Sequence, residues 1–311
     1  MPMRKLVLAL LLLSTTLASL AEEKPQLSFS GLEYPGVSFS RDGSRLLVFE
    51  EGGRDYWVWD VQSKRLVANQ KLDYAILGAG LSPDGKLLAL GERPRRLAVL
   101  NLANKERVFL YEGPAVAEGK DTGGYNVAWS PKGDMLAACG TGFMREAGEP
   151  KCYVFSWPSK KIVRTFPSDP QGTYCGWSPD GKLSLADLDK TRVLDPTTGK
   201  LLEEFKDSKY SDDERGKKLY EIGQRTQYNN DEGLYSFFTS KLTYKMDVSR
   251  GEVRSLEFFN GSETTPLGKV PDATSCQISP DGKVLAVVVK GGVLLIDVPA
   301  SLATGKLVRF Q

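Results

Sequence analysis

The chain of 311 residues carries 41 basic and 39 acidic side chains and no histidine. The absence of histidine excludes Ser-His-Asp and Cys-His catalysis, histidine metal ligands and a c-type haem, which needs a CxxCH motif. The near-neutral charge argues against a nucleic-acid partner, because nucleic-acid binders normally show a basic excess.

The first 21 residues have the pattern of a secretory signal peptide. Arg4 and Lys5 form a basic start, residues 6–13 are an unbroken apolar run, and Ala21 follows small residues at the cleavage-site spacing. The mature chain is then expected to begin at Glu22 and to be secreted or periplasmic. No other segment approaches the roughly 20 apolar residues of a spanning helix, so we expect no membrane span after cleavage. A retained anchor stays open as the alternative.

A tetrapeptide of the form Ser-Pro-Asp-Gly recurs five times, and its glycines stand 42, 48, 48 and 101 residues apart. Each copy is followed by two short strands and a second turn signal, which is typical of a blade array. We expect the motif to close a hairpin, because proline pre-sets φ, aspartate bonds nearby backbone groups and glycine takes positive φ. Trp129 and Trp177 precede two of the turns and are expected to pack between blades. The copies end at Gly43, Gly85, Gly133, Gly181 and Gly282.

The interval of 101 residues contains a degenerate copy that ends at Gly233, followed at the expected spacing by a second turn signal at Asp247. The sequence therefore predicts an all-β, six-bladed β-propeller of four-stranded antiparallel blades, forming one domain over 22–311. Which terminus completes the last blade stays open, between residues 27–30 and a strand ending near Phe310. The blades are predicted near 37–69, 79–111, 125–166, 173–205, 226–258 and 274–310.

The dipeptide Trp59-Asp60 and the repeated Ser-Pro-Asp-Gly turns resemble WD40 and WD40-like β-propellers, in particular their secreted and periplasmic branch. The likeness spans roughly residues 30–310, and it departs from the classical family because the chain has no Gly-His dipeptide. The resemblance implies a scaffold that binds a protein or peptide without catalysis. Fold alone does not fix function.

The four cysteines are too few for a disulfide framework, although an oxidising compartment permits bridges. Cys139 and Cys152 flank a hairpin loop at 141–150 and are equidistant from its centre. Directly opposed positions on antiparallel strands bring Cα atoms within the range of a disulfide, so a bridge is predicted, with two free thiols as the open alternative. Cys175 and Cys276 are expected to be buried and free.

Loop geometry predicts where binding takes place. In a four-stranded meander the first-to-second and third-to-fourth turns share one face, and the other loops share the opposite face. The irregular segments 112–124, 141–150, 206–226 and 260–274 all fall on that opposite face, where variable loops on a rigid scaffold usually bind. A plain solvated loop is the alternative for each residue, and the oligomeric state stays open. The predicted partner contacts are Arg93, Arg95, Arg96, Phe143 and Met144.

A column of acids lies on the same predicted face. Four of them precede their blade's turn glycine by 12 residues, and Glu33 and Asp272 precede theirs by 10. Such a ring at the channel mouth could hold a hard cation such as calcium, which would make the chain a calcium-dependent hydrolase or lactonase as the alternative function. The other interpretation is that each acid ends its loop through backbone hydrogen bonds. No other cofactor is predicted. The candidate carboxylates are Asp73, Asp121, Asp169, Glu221 and Asp272.

Overall fold

The computed structural model describes residues 27–29, 35–113, 123–141, 151–169, 172–187, 190–206, 227–230, 233–237, 242–249, 252–260 and 266–298. Within these ranges the chain forms strands and turns and no helix, so the described part holds no helix that could cross a membrane. The chain divides into two compact units, which we call the central unit (40–224) and the terminal unit (1–39 with 225–311). The predicted signal peptide lies outside the described residues.

The central unit is a succession of antiparallel meanders. Strands β3 to β5 pair in chain order, and three complete four-stranded sheets follow, also in chain order. The first strands of the three complete sheets, β6, β10 and β14, lie side by side, so each sheet packs against the next. The strands are β3 (Arg45–Glu50), β4 (Asp55–Asp60), β5 (Leu66–Lys71), β6 (Ile76–Leu81), β7 (Leu87–Glu92), β8 (Arg96–Asn101), β9 (Arg107–Glu112), β10 (Gly124–Trp129), β11 (Met135–Thr141), β12 (Lys151–Ser156), β13 (Ile162–Pro167), β14 (Tyr174–Trp177), β15 (Leu183–Ala186), β16 (Lys190–Leu194) and β17 (Leu201–Lys206).

The terminal unit holds two further antiparallel sheets and the strand β2. One sheet has the order β18-β19-β20-β21-β22 and the other the order β1-β25-β24-β23, while β2 lies against β23. The expectation of an all-β chain with four-stranded antiparallel sheets is thus confirmed for the described residues. The strands are β1 (Leu27–Ser28), β2 (Pro35–Phe39), β18 (Gln227–Asn230), β19 (Gly233–Phe237), β20 (Leu242–Ser249), β21 (Glu252–Asn260), β22 (Pro266–Pro271), β23 (Ala273–Ile278), β24 (Val284–Val289) and β25 (Gly292–Asp297).

Two features of the terminal unit go beyond the expectations. The N-terminal strand β1 pairs with β25 through Leu27↔Val293 and Ser28↔Gly292, so the start of the chain joins the last sheet. The segment 260–274, expected to be irregular, contains β22 as a fifth strand paired with β21. Pro266 and Pro271 stand at the two ends of β22, and an edge strand tolerates proline there because it pairs on one side only.

The repeated turns are fixed by the hydroxyl of their serine. The Ser82 Oγ accepts a hydrogen bond from the Leu87 N–H at 2.9 Å and donates one to Asp84 at 2.7 Å. Gly85 closes the turn with φ +65° and an N–H bond to the Ser82 carbonyl at 2.9 Å. In the third copy Lys132 replaces the aspartate, and Asp134 accepts the serine hydroxyl instead, at 2.8 Å. The same arrangement surrounds Ser40, Ser130, Ser178 and Ser279.

The core of the central unit lies between successive sheets. The Trp177 indole N–H donates to the Ala128 carbonyl on the first strand of the preceding sheet, at 2.9 Å, and Trp129 does the same to Gly80 at 3.2 Å. Both tryptophans are buried, as their place before the turn predicted. A Cβ on Gly91 would come within 1.7 Å of the Tyr125 carbonyl, so only glycine allows β7 to approach β10 this closely.

Cationic side chains also connect neighbouring sheets at their outer strands. Lys105 and Lys160 occupy equivalent third-to-fourth turns, with φ of 61° and 60°. Lys105 Nζ lies 3.5 Å from the Asn69 carbonyl on β5, and Lys160 Nζ lies 2.6 Å from the Val108 carbonyl on β9. Each turn therefore contacts the outermost strand of the sheet before it.

Candidate binding face

The sheets of the central unit have two chemically different ends. At one, the turn end, lie the Ser-Pro-Asp-Gly hairpins and the third-to-fourth turns. At the other, the loop end, lie the connections between second and third strands and those between sheets, of which 51–54, 72–75 and 93–95 are described in full. The turn-end connections repeat one geometry, whereas the loop-end connections differ in length from three residues to eleven. The loop end is therefore the end at which the sheets differ most from one another.

The structure places the three predicted arginines of the β7–β8 hairpin in different environments. Arg93 is exposed, and its N–H donates to the Ala75 carbonyl at 2.8 Å. Arg95 is only 7% exposed and has φ 45°, and its carbonyl accepts the Gly113 N–H at 2.8 Å. Arg96 points into the protein, with 14% of its side chain exposed. Of the three side chains, that of Arg93 is the one presented to solvent.

Arg96 is held by two carboxylates and an aromatic ring. Its Nη1 lies 3.0 Å from Glu112 Oε1, its Nε lies 3.5 Å from Glu92 Oε2, and its Cζ lies 4.1 Å above the centre of the Tyr74 ring. The opposing positions follow from the strand register, which sets Glu92 opposite Arg96 and Arg96 opposite Glu112. The guanidinium therefore fixes Tyr74 at the loop end by a cation–π contact.

Glu92 is the buried anchor of this arrangement, and its side chain has no exposure to solvent. Burial raises the pKa of the Glu92 carboxyl, and the charge of Asp73 adds to that rise. The positive charges of Arg107 and Arg96 act against it, and Arg107 Nη2 lies 3.5 Å from Glu92 Oε1. A buried carboxylate of this kind is tolerated because it is paired with cations. Sequence reasoning missed Glu92. The signal was present, since an acid ends an otherwise apolar strand directly before an arginine-rich hairpin.

A second buried carboxylate supports the loop end of the sheet β14–β17. Asp187 directly follows β15, much as Glu92 ends β7. The side chain of Asp187 is 4% exposed. Arg192 Nη2 lies 2.9 Å from one oxygen, and the Thr173 hydroxyl donates to the other at 2.5 Å. Two sheets of the central unit thus have a loop end stiffened by a carboxylate that solvent hardly reaches.

The predicted acidic column is only partly within the described residues. Asp73 is exposed, while Asp169 is half-buried and ends its loop through main-chain bonds: its carbonyl accepts the Gly172 N–H and its N–H donates to Thr173 Oγ1, both at 2.9 Å. Asp272, in the terminal unit, is exposed with φ 54°. No three Asp, Glu, Cys or His side chains among the described residues are grouped to hold a metal ion. The remaining candidates, Asp121, Glu221, Glu33, Phe143 and Met144, lie outside the described residues.

The cysteines lie in the sheets rather than at the binding face. Cys139 on β11 is directly opposite Cys152 on β12, and a disulfide joins them. Both are fully buried, and Cys175 and Cys276 are also buried and take no part in a disulfide.

Comparison with known proteins gives a structural similarity only. No protein-family model matches the chain, and no curated protein matches it. Among solved structures, the β-propeller domain of Cps50 (Swd1) from Myceliophteria thermophila is similar, with 15% sequence identity and a TM-score of 0.46. The match covers 81% of this chain and 77% of that chain. Nothing about binding or activity passes from that domain to the present chain.

Proposed function

We propose that the chain is a six-bladed, WD40-like β-propeller, secreted or periplasmic, that binds a protein or peptide without catalysis. The binding surface is the loop end of the sheets. The observation that carries the proposal is the difference between the two ends in the central unit, where one end repeats a self-contained turn and the other presents individual side chains on stiffened strands.

The turn end is occupied by its own hydrogen bonds. In four of the five copies the serine hydroxyl bonds to the aspartate carboxylate of its motif and to the backbone of the same hairpin, as for Ser82 and Asp84. Because the same few contacts recur from copy to copy, this end offers a partner little that distinguishes one sheet from another. The polar groups at the turn end therefore stabilise the hairpins themselves.

The loop end supplies fixed side chains that differ between sheets. Tyr74 is held by Arg96, which is itself anchored on the buried Glu92, and Arg93 extends to solvent from the adjoining hairpin. Interfaces favour such aromatic and arginine side chains, because a rigid ring loses little entropy on binding. We assign Tyr74 and Arg93 to partner contact and Arg96 to positioning, with Phe143 and Met144 as further proposed contacts.

The proposal is tested by comparing variants at the two ends of the same sheets. Tyr74→Ala with Arg93→Ala removes the loop-end contacts, and the exposed turn-end variant Arg41→Ala serves as the matched control. Each tagged protein is incubated with a secreted or periplasmic extract, and bound proteins are quantified by mass spectrometry. We expect a partner that is retained by the control and lost by the loop-end variant, with unchanged unfolding temperatures. An identical set on both variants, or a loss with Arg41→Ala, would contradict the proposal.

Calcium separates this function from the hydrolase alternative. Unfolding temperature is measured with and without calcium for the parent chain and for Asp73→Asn combined with Asp169→Asn. We expect no calcium-dependent rise in the parent. A rise that disappears in the double variant, together with ester or lactone hydrolysis, would replace the binding function by the calcium-dependent one.

A further inference from the structure

Three sulfur atoms lie in one buried interface between neighbouring sheets. The disulfide residues Cys139 and Cys152 belong to the sheet β10–β13, and the free thiol of Cys175 belongs to the sheet β14–β17. All three are part of a single buried cluster that also contains Trp177 and Leu185. A free thiol thus shares the hydrophobic layer of a disulfide.

Hydrogen bonds hold Cys175 beside Cys139. The Cys175 N–H donates to Asn126 Oδ1 at 3.0 Å, and its Sγ lies 3.4 Å from the same oxygen and 3.5 Å from the Asn126 carbonyl. Asn126 is the residue paired directly with Cys139 in the β10–β11 register. The backbone of Cys139 is also a hydrogen-bond partner of the Cys175 sulfur. The thiol is therefore fixed next to one half of the disulfide.

We propose that Cys175 is an internal exchange partner of the Cys139–Cys152 disulfide, so that the chain interconverts between a Cys139–Cys152 link and a Cys139–Cys175 link. The Cys175 thiol gives its proton to water, and the thiolate attacks the Cys139 sulfur. The Cys139–Cys152 bond breaks, and Cys152 leaves as a thiolate that takes up a proton. One disulfide and one thiol exist before and after, so the exchange consumes no oxidant or reductant.

The two links have different structural effects. The Cys139–Cys152 link joins neighbouring strands of one sheet, whereas the Cys139–Cys175 link joins β11 to β14 and so ties two sheets together covalently. Exchange therefore moves a cross-link from within a sheet to between sheets. It also converts Cys152 into the free thiol.

The buried environment makes this exchange slow at neutral pH. Burial raises the pKa of Cys175 to about 12, opposed by backbone hydrogen bonds from Cys139 and from Cys175 itself, with no charged side chain among the causes. Only the thiolate attacks a disulfide, and its fraction rises tenfold per pH unit below the pKa. The exchange rate should therefore increase about 100-fold between pH 7.5 and pH 9.5.

Peptide mapping tests the exchange, because trypsin separates the cysteines. Cleavage after lysine and arginine places Cys139 in 133–145, Cys152 in 152–160, Cys175 in 165–182 and Cys276 in 270–283. The folded chain is incubated anaerobically at each pH, trapped with iodoacetamide at intervals, digested without reduction and analysed by mass spectrometry. We expect linked peptides 133–145 and 165–182 to accumulate with alkylated Cys152, faster at the higher pH.

Two variants and one denatured sample complete the experiment. Cys175→Ser should retain only the Cys139–Cys152 pair, while Cys276→Ser should leave the exchange rate unchanged within twofold. Incubation in guanidinium chloride shows the pairings of an unfolded chain, which should include Cys276. A folded chain that keeps Cys139–Cys152 with alkylated Cys175 at every pH would overturn the proposal. So would a Cys152–Cys175 product, or starting protein without the Cys139–Cys152 link.

Discussion

Replacing Ser82 by alanine tests how much the repeated turn contributes to stability. The Ser82 side chain is almost fully buried, and its hydroxyl accepts from the Leu87 N–H at 2.9 Å and donates to Asp84 at 2.7 Å. Alanine leaves the Leu87 N–H without its acceptor, which costs about 1–3 kcal/mol, and removes one bond to a carboxylate. We therefore expect Ser82→Ala to lower the free energy of unfolding by about 2 kcal/mol.

Chemical denaturation followed by tryptophan fluorescence measures this loss, as a lower midpoint at an unchanged slope. Ser82→Thr keeps the hydroxyl and should lose less than half as much. The exposed pair of Ser63 with Asp60 gives a matched control, because solvent replaces its 2.8 Å hydroxyl bond when Ser63 becomes alanine. Equal midpoints for Ser82→Ala and Ser63→Ala would refute the reasoning that the buried hydroxyl is structural.

Trp177→Phe should destabilise the chain by about 1–3 kcal/mol in the same denaturation assay, because the preceding sheet keeps a carbonyl without its indole donor. Glu92→Gln should cost about 3 kcal/mol, since it leaves the largely buried Arg96 guanidinium with only the exposed Glu112 as its anion, whereas Glu112→Gln, at a carboxylate 63% exposed, should cost less than about 1 kcal/mol. Hydrogen bonds from Ser178 and Lys182 lower the pKa of Asp180 below 3.8. The ionised Asp180 therefore stabilises the folded chain above pH 3.8, and this stabilisation is lost as the pH falls through the folded pKa. Asp180→Asn should flatten the dependence of unfolding temperature on pH in this acid range.

Each of these expectations has a clear contrary result. A Trp177→Phe midpoint equal to that of the parent would mean that the indole bond is replaced by water. Equal losses for Glu92→Gln and Glu112→Gln would show that burial does not decide the energetics of this cluster. Unchanged acid sensitivity in Asp180→Asn would place the acid-labile group elsewhere in the chain.

The regular part of the fold was predictable because its signals are local. Proline, aspartate and glycine specify a turn within four residues, and the strands that follow need only an apolar pattern. The opposition of Cys139 and Cys152 was likewise readable from symmetry about one hairpin. The pairing of β1 with β25 could not be chosen from the sequence, because both termini offered a suitable strand and only long-range pairing decides between them.

The candidate site was harder to predict because exposure depends on register. The three arginines of the β7–β8 hairpin are nearly adjacent in sequence, yet strand pairing sets Arg96 between Glu92 and Glu112 while Arg93 faces solvent. No local pattern reports which carboxylate an arginine will meet on a neighbouring strand. The segment 260–274 was predicted to be irregular, yet it contains β22, whose terminal prolines are tolerated because this strand lies at a sheet edge.

The lysines that reach back from the third-to-fourth turns also bear on how the protein behaves in a crowded compartment. An outermost strand displays free carbonyls that a foreign strand can use for pairing, and several of these strands carry exposed apolar residues such as Leu66 and Leu110. Lys105 and Lys160 each occupy one such carbonyl and bring a charge to the edge. Two turns of the central unit thus each place a charged lysine at the edge of the preceding sheet, and charge at an edge disfavours strand pairing between molecules.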